Sequence, residues 1–119
     1  MKKFIEGRTQ SLTYVWQGIK TLILTEDAAK AQFFAFVFFT FLGFYFQISS
    51  TQWMFQLLSF GLIFCAEGLN TAIEGICDYI QPEIHPKIKY IKDISAGAVG
   101  FAGIFGFLIG VCIYLPYFL

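Results

Sequence analysis

The chain has 119 residues, of which 57% are hydrophobic, 20% aromatic and 13% charged, with no formal net charge. That length suits one domain. A soluble domain carries about 25% charged residues, so this chain lacks the polar groups to cover a water-facing surface, and its neutral balance speaks against a nucleic-acid partner.

The charges are segregated as well as few. No Asp, Glu, Lys or Arg occurs from Ala31 to Ala66 or from Ile94 to Leu119. Charge in hydrocarbon is costly, so long uncharged runs bounded by charged ones are the pattern of a membrane protein. The cysteines Cys65, Cys77 and Cys112 fall in or beside these runs at no metal-site spacing, and read as small apolar packing groups.

In chain order, residues 1–10 are polar and are expected to fray. An amphipathic helix is expected over about 9–24, where Leu12, Val15, Trp16, Ile19, Leu22 and Ile23 recur at helical spacing. Tyr14 and Trp16 suit the headgroup zone, so this helix reads as lying on the membrane surface, with packing on a bundle as the plainer alternative. Glu26 and Asp27 interrupt the apolar sequence, unlike a cleaved leader, and Thr25-Glu26-Asp27 has the look of a helix start.

A first span is expected over about 28–48, long enough for the roughly 20 residues that hydrocarbon requires. Gln47 to Gln52 reads as a short uncharged turn, and Trp53 opens a second span over about 53–80 at an interfacial position. Pro82 and Pro86 suggest a polar loop over 81–92, followed by a third span over about 93–115. Glycines at 97, 100, 103, 106 and 110 along that span offer shallow surfaces for close helix approach. The expected fold is thus an all-α membrane protein: a surface helix plus three transmembrane helices. Every Lys and Arg lies in the amino-terminal segment or between Lys87 and Lys92, so both regions are expected to face the cytoplasm.

The segment Glu67-Gly-Leu-Asn70-Thr-Ala-Ile-Glu74-Gly-Ile-Cys-Asp78 carries the chemistry. At about 100° per residue, Glu67, Asn70, Glu74 and Asp78 share an arc of roughly 80° on one helix. Like charges so close persist when a cation or a shared proton offsets them, and an all-oxygen set suits a hard cation such as Mg2+. Glu26, Lys92 and Asp93 fall at the same membrane level. Carboxylates for magnesium, a cation for phosphate and a base near a hydroxyl are the parts of metal-assisted phosphoryl transfer. No Walker A sequence or kinase glycine loop is present. The same stripe could instead seal helix interfaces in a non-enzymatic membrane assembly or channel subunit.

The pattern Glu67-x-x-Asn70-Thr71-Ala72-Ile73-Glu74-x-x-x-Asp78 resembles the signature of the prokaryotic diacylglycerol kinase family, which includes undecaprenol kinases. Tyr14-Val-Trp-Gln-Gly18-Ile, Glu26, Pro82-Glu-Ile-His85-Pro and Lys92-Asp93-Ile-Ser-Ala96-Gly-Ala extend the likeness over most of the chain. The resemblance implies a homotrimer in the bacterial cytoplasmic membrane that transfers the γ-phosphoryl group of ATP to a lipid alcohol with Mg2+. It implies Glu67 as general base, Glu26 and Glu74 as magnesium ligands, and Tyr14, Asn70, Asp78, Lys92 and Asp93 at the nucleotide. Arg8 sits one residue short of the family's spacing to Tyr14, Asp27-Ala-Ala-Lys30-Ala-Gln32 follows neither branch closely, and residues 82–99 look more like the undecaprenol kinase branch.

Overall fold

The computed structural model describes all 119 residues as four helices: α1 (Lys2–Thr25), α2 (Asp27–Phe46), α3 (Ser50–Ile80) and α4 (Pro86–Phe118). Three of them, α2, α3 and α4, are long and apolar enough to cross a membrane. Their large side chains point outward: Phe34, Phe41, Leu58, Phe101 and Phe107 are all exposed, as lipid-facing groups should be.

The molecule measures 51 × 49 × 21 Å. The 31-residue α3 spans about 46 Å at 1.5 Å per residue, which accounts for one long dimension. α1 buries no residue and so lies on the outside of the three-helix unit. Its carboxy-terminal half returns to the bundle, with Leu22 reaching within 3.3 Å of where a Cβ on Gly68 would stand.

Two boundaries depart from the sequence expectation. The first ten residues are helical where fraying was expected: helix runs from Lys2, and the hydroxyls of Thr9, Ser11 and Thr13 bond back to the carbonyls of Ile5, Gly7 and Thr9. The expected loop over 81–92 is shorter, because α4 begins at Pro86. Proline fits the first helical turn, where its missing N–H is not needed, and His85 Nδ1 caps the turn by accepting from Lys87 N at 3.1 Å. The α2–α3 turn is closed by a capping box: Ser49 Oγ accepts from Gln52 N at 3.1 Å, and Gln52 Oε1 accepts from Ser49 N at 2.9 Å.

The core sits at this uncharged end. Ile48, Ile113 and Tyr114 are buried together, with Phe39, Leu42, Phe46, Trp53 and Ile109 packed around them. Gly43 makes room for the Trp53 ring here, since a Cβ would lie 2.7 Å from it and the ring would have to shift. A buried polar knot ties all three spans: Gln56 Nε2 donates to the Phe39 carbonyl at 3.1 Å, and the Tyr114 hydroxyl lies 2.5 Å from Gln56 Oε1 and 3.1 Å from the same carbonyl. Of the five glycines on α4, only Gly106 is in close contact within the chain, 3.0 Å from Ile63 to a notional Cβ; positions 97, 100, 103 and 110 face open space.

Candidate active site at the charged end

The opposite end of the bundle gathers the chemistry-bearing residues. Glu67 occupies a mid-helix position on α3 directly after an apolar run, and it is only 5% exposed. A carboxylate so buried requires a partner. It has one: Gln32 on α2 donates from Nε2 to Glu67 Oε2 at 3.3 Å. The partner is neutral, so no cation within the chain is paired with Glu67.

One turn along α3, Asn70 Nδ2 lies 3.4 Å from Glu74 Oε1, while Asn70 Oδ1 is buried with no hydrogen-bond partner. Gln32 Oε1 is unpartnered in the same way. Buried carbonyl oxygens without a donor are uncommon and invite an explanation. Here two amides each turn an N–H toward a carboxylate and leave the carbonyl oxygen free for something from outside the chain.

Further out, Asp78 on α3 and Lys92 on α4 form an ion pair with Nζ 2.5 Å from Oδ1, joining the two helices at their charged ends. Asp93 pairs with Lys89 at 2.6 Å along the same helix, and both side chains are well exposed. Glu26 stands at the N-cap position of α2, yet its side chain makes no capping hydrogen bond, so its carboxylate is not engaged by its own helix. Tyr14 is 65% exposed on α1 and lines an open cleft with Gly18 and Leu22, faced by Gly68, Thr71 and Ala72 of α3. The cleft brings α1 to the level of Asn70.

The structure therefore joins Glu67 to Gln32, Asn70 to Glu74 and Asp78 to Lys92. It leaves Glu26 and Tyr14 at the junction of α1 with the bundle. No three His, Cys, Asp or Glu side chains converge into a metal cluster within one chain. The donor chemistry nevertheless fits magnesium, which takes one or two carboxylates and completes its shell with water and phosphate oxygens. The unpartnered Asn70 Oδ1 beside Glu74 is the observation in favour of that fit. Gln32 is the site residue that sequence pattern missed. Its only signal was its place as the last strongly polar residue before the long apolar run of α2.

Fold and site define a three-span helical membrane protein with a carboxylate and amide site at one end of its bundle. Residues 13–114 match the family described as prokaryotic diacylglycerol kinase, and the chain belongs to it. It is 42% identical over 74 residues to an undecaprenol kinase of Bacillus subtilis (strain 168), covering 62% of this chain and 60% of that protein. It is 28% identical over 107 residues to a diacylglycerol kinase of Synechocystis sp., covering 89% of this chain and 61% of that protein. The chain thus spans about three fifths of the length of each of these relatives.

Proposed function

We propose that this protein is a lipid kinase that transfers the γ-phosphoryl group of ATP to the hydroxyl of a membrane lipid alcohol, diacylglycerol or undecaprenol, at the cytoplasmic leaflet. The single observation that carries this reading is Glu67: a buried carboxylate facing the apolar bundle, held by a neutral amide and paired with no cation. A structural carboxylate in that position would be expected to pair with Lys or Arg. One left without a cationic partner is available to take a proton.

In the reaction, the lipid hydroxyl donates its proton to Glu67 as its oxygen attacks the γ-phosphorus. The bond from that phosphorus to the bridging oxygen breaks, and ADP leaves with the electron pair. Lys92, drawn to the site by Asp78, supplies positive charge for the nucleotide phosphates. Tyr14 lines the open cleft between α1 and α3 through which nucleotide arrives from water, and Asn70, next in the chain to the cleft residue Thr71, contacts the nucleotide together with Asp93. Glu26 and Glu74, with carboxylates not committed to any ion pair, would hold magnesium. Bound magnesium supplies charge neutralisation at the phosphate oxygens.

The placement of Lys and Arg supports a cytoplasmic site. The open glycine surface at positions 97, 100, 103 and 110 supports assembly with further copies, read here as a homotrimer.

Glu67→Gln tests the assignment, because it keeps size and hydrogen bonding but removes basicity. General-base catalysis contributes about 10²–10⁴-fold, and a loss of that order in kcat is expected, with the melting temperature in detergent unchanged. A fully active Glu67→Gln protein would overturn the role of Glu67.

A further inference from the structure

The Gln32–Glu67 pair has an asymmetry that the reaction above does not use. An ionised carboxylate only accepts hydrogen bonds, so the Gln32 amide must turn its NH2 group toward Glu67 and its carbonyl away. That carbonyl oxygen, Gln32 Oε1, is buried and has no partner. A buried acceptor left in this state destabilises the fold unless a donor arrives.

The direction from which the donor comes is set by the cavity beside it. One helical turn from Gln32 and Glu67, Ala35 on α2 and Ile63 on α3 begin an apolar cavity of about 450 Å³. It continues along α4 from Gly103 to Phe118, about 22 Å of helix at 1.5 Å per residue. Its polar wall residues are already engaged: Gln56 and Tyr114 with each other and the Phe39 carbonyl, and Ser59 with the Phe55 carbonyl. The cavity therefore suits hydrocarbon and offers it no competing polar contact. Its Ala35 and Ile63 end lies one helical turn from Gln32 and Glu67, so a hydrocarbon chain lying there would direct its terminal polar group toward them.

We infer that Gln32 is a substrate-positioning residue for the lipid hydroxyl: its Nε2 fixes one oxygen of Glu67, and its unpartnered Oε1 accepts from the incoming O–H. The inference rests on the kinase reading above. Before transfer the lipid hydroxyl donates to Gln32 Oε1, which holds its oxygen beside Glu67; for attack the O–H turns to the carboxylate. On attack the proton passes to Glu67, and Gln32 gains and loses none. Gln32 thus acts on the lipid and leaves the nucleotide untouched.

Steady-state kinetics of Gln32→Met in mixed micelles with diacylglycerol test this, since methionine keeps the length and removes both hydrogen bonds. The expected result is a fall of about tenfold or more in kcat/KM for the lipid, with KM for magnesium-ATP unchanged. Gln32→Glu, which keeps acceptor oxygens but loses the donor and sets a second carboxylate beside Glu67, should fall further. Wild-type kcat/KM for the lipid in Gln32→Met would overturn the inference. So would KM values for lipid and for magnesium-ATP that rise together, the signature of a merely structural residue. If Gln32→Met does not fold, Gln32→Asn, which shortens the reach of the amide, must show the same lipid-selective loss or the inference fails. A wild-type protein that phosphorylates no lipid would instead overturn the kinase reading itself.

Discussion

Two polar clusters are buried in the same three-helix bundle, and they are built differently. At the uncharged end, Gln56, Tyr114 and the Phe39 carbonyl satisfy one another, and an aromatic core closes over them. At the charged end, Gln32 and Asn70 satisfy carboxylates with their N–H groups and leave both carbonyl oxygens without partners. Both clusters use amides in apolar helices, so composition alone does not separate them. What separates them is closure: a cluster that anchors a fold completes its own hydrogen bonds, whereas one that awaits a ligand leaves some open.

The difference can be broken or sharpened by substitution. The largest stability effect is expected for Gly43→Ala at the closed end, where the new methyl would overlap the Trp53 ring. Overpacking of this kind costs about 1–3 kcal/mol, read as a lower melting temperature in detergent with transfer per folded molecule preserved. Tyr114→Phe comes next. It leaves Gln56 Oε1 buried without its donor, at a cost of about 1–2 kcal/mol, again with activity retained in the folded fraction. The smallest stability effect belongs to the open end. Asp78→Asn removes one partner of a largely exposed ion pair, so the melting temperature should hardly move. A rise in KM for ATP should appear in steady-state assays instead, because Lys92 loses the group that draws it to the site. A variant that reversed this order, unfolding when Asp78 is changed and losing turnover when Tyr114 is changed, would exchange the roles given to the two ends.

The closed end was only partly legible in the sequence. Uncharged runs and the position of Trp53 marked the spans, because hydrocarbon imposes a length and excludes charge. Gln56 carried no readable role in the sequence, because its partner Tyr114 lies 58 residues away and on another span. No local pattern encodes such a contact. Gly43 was hidden for the same reason, since its need for hydrogen depends on where the Trp53 ring falls after the turn. The five α4 glycines showed the reverse: their spacing suggested close packing, and within one chain only Gly106 supplies it.

At the open end, the stripe of Glu67, Asn70, Glu74 and Asp78 was visible because one helix carries all four at helical spacing. The ion pair of Asp78 with Lys92 was foreshadowed only by their common membrane level. Gln32 had only its place at the edge of the apolar run to mark it. Its contact with Glu67 spans 35 residues and depends on how α2 packs against α3. A residue that acts by completing another's hydrogen bond has no signature until the fold brings the two together.

The central claim, that the open end is a phosphoryl-transfer site for lipid, is tested most directly by offering the protein labelled ATP in mixed micelles. Diacylglycerol and undecaprenol are supplied in parallel, each with and without magnesium. The account predicts magnesium-dependent label in at least one lipid, the faster acceptor naming the preferred class. No label in either lipid, from protein that is folded and melts cooperatively, would contradict it and leave a membrane assembly whose carboxylates only join helices.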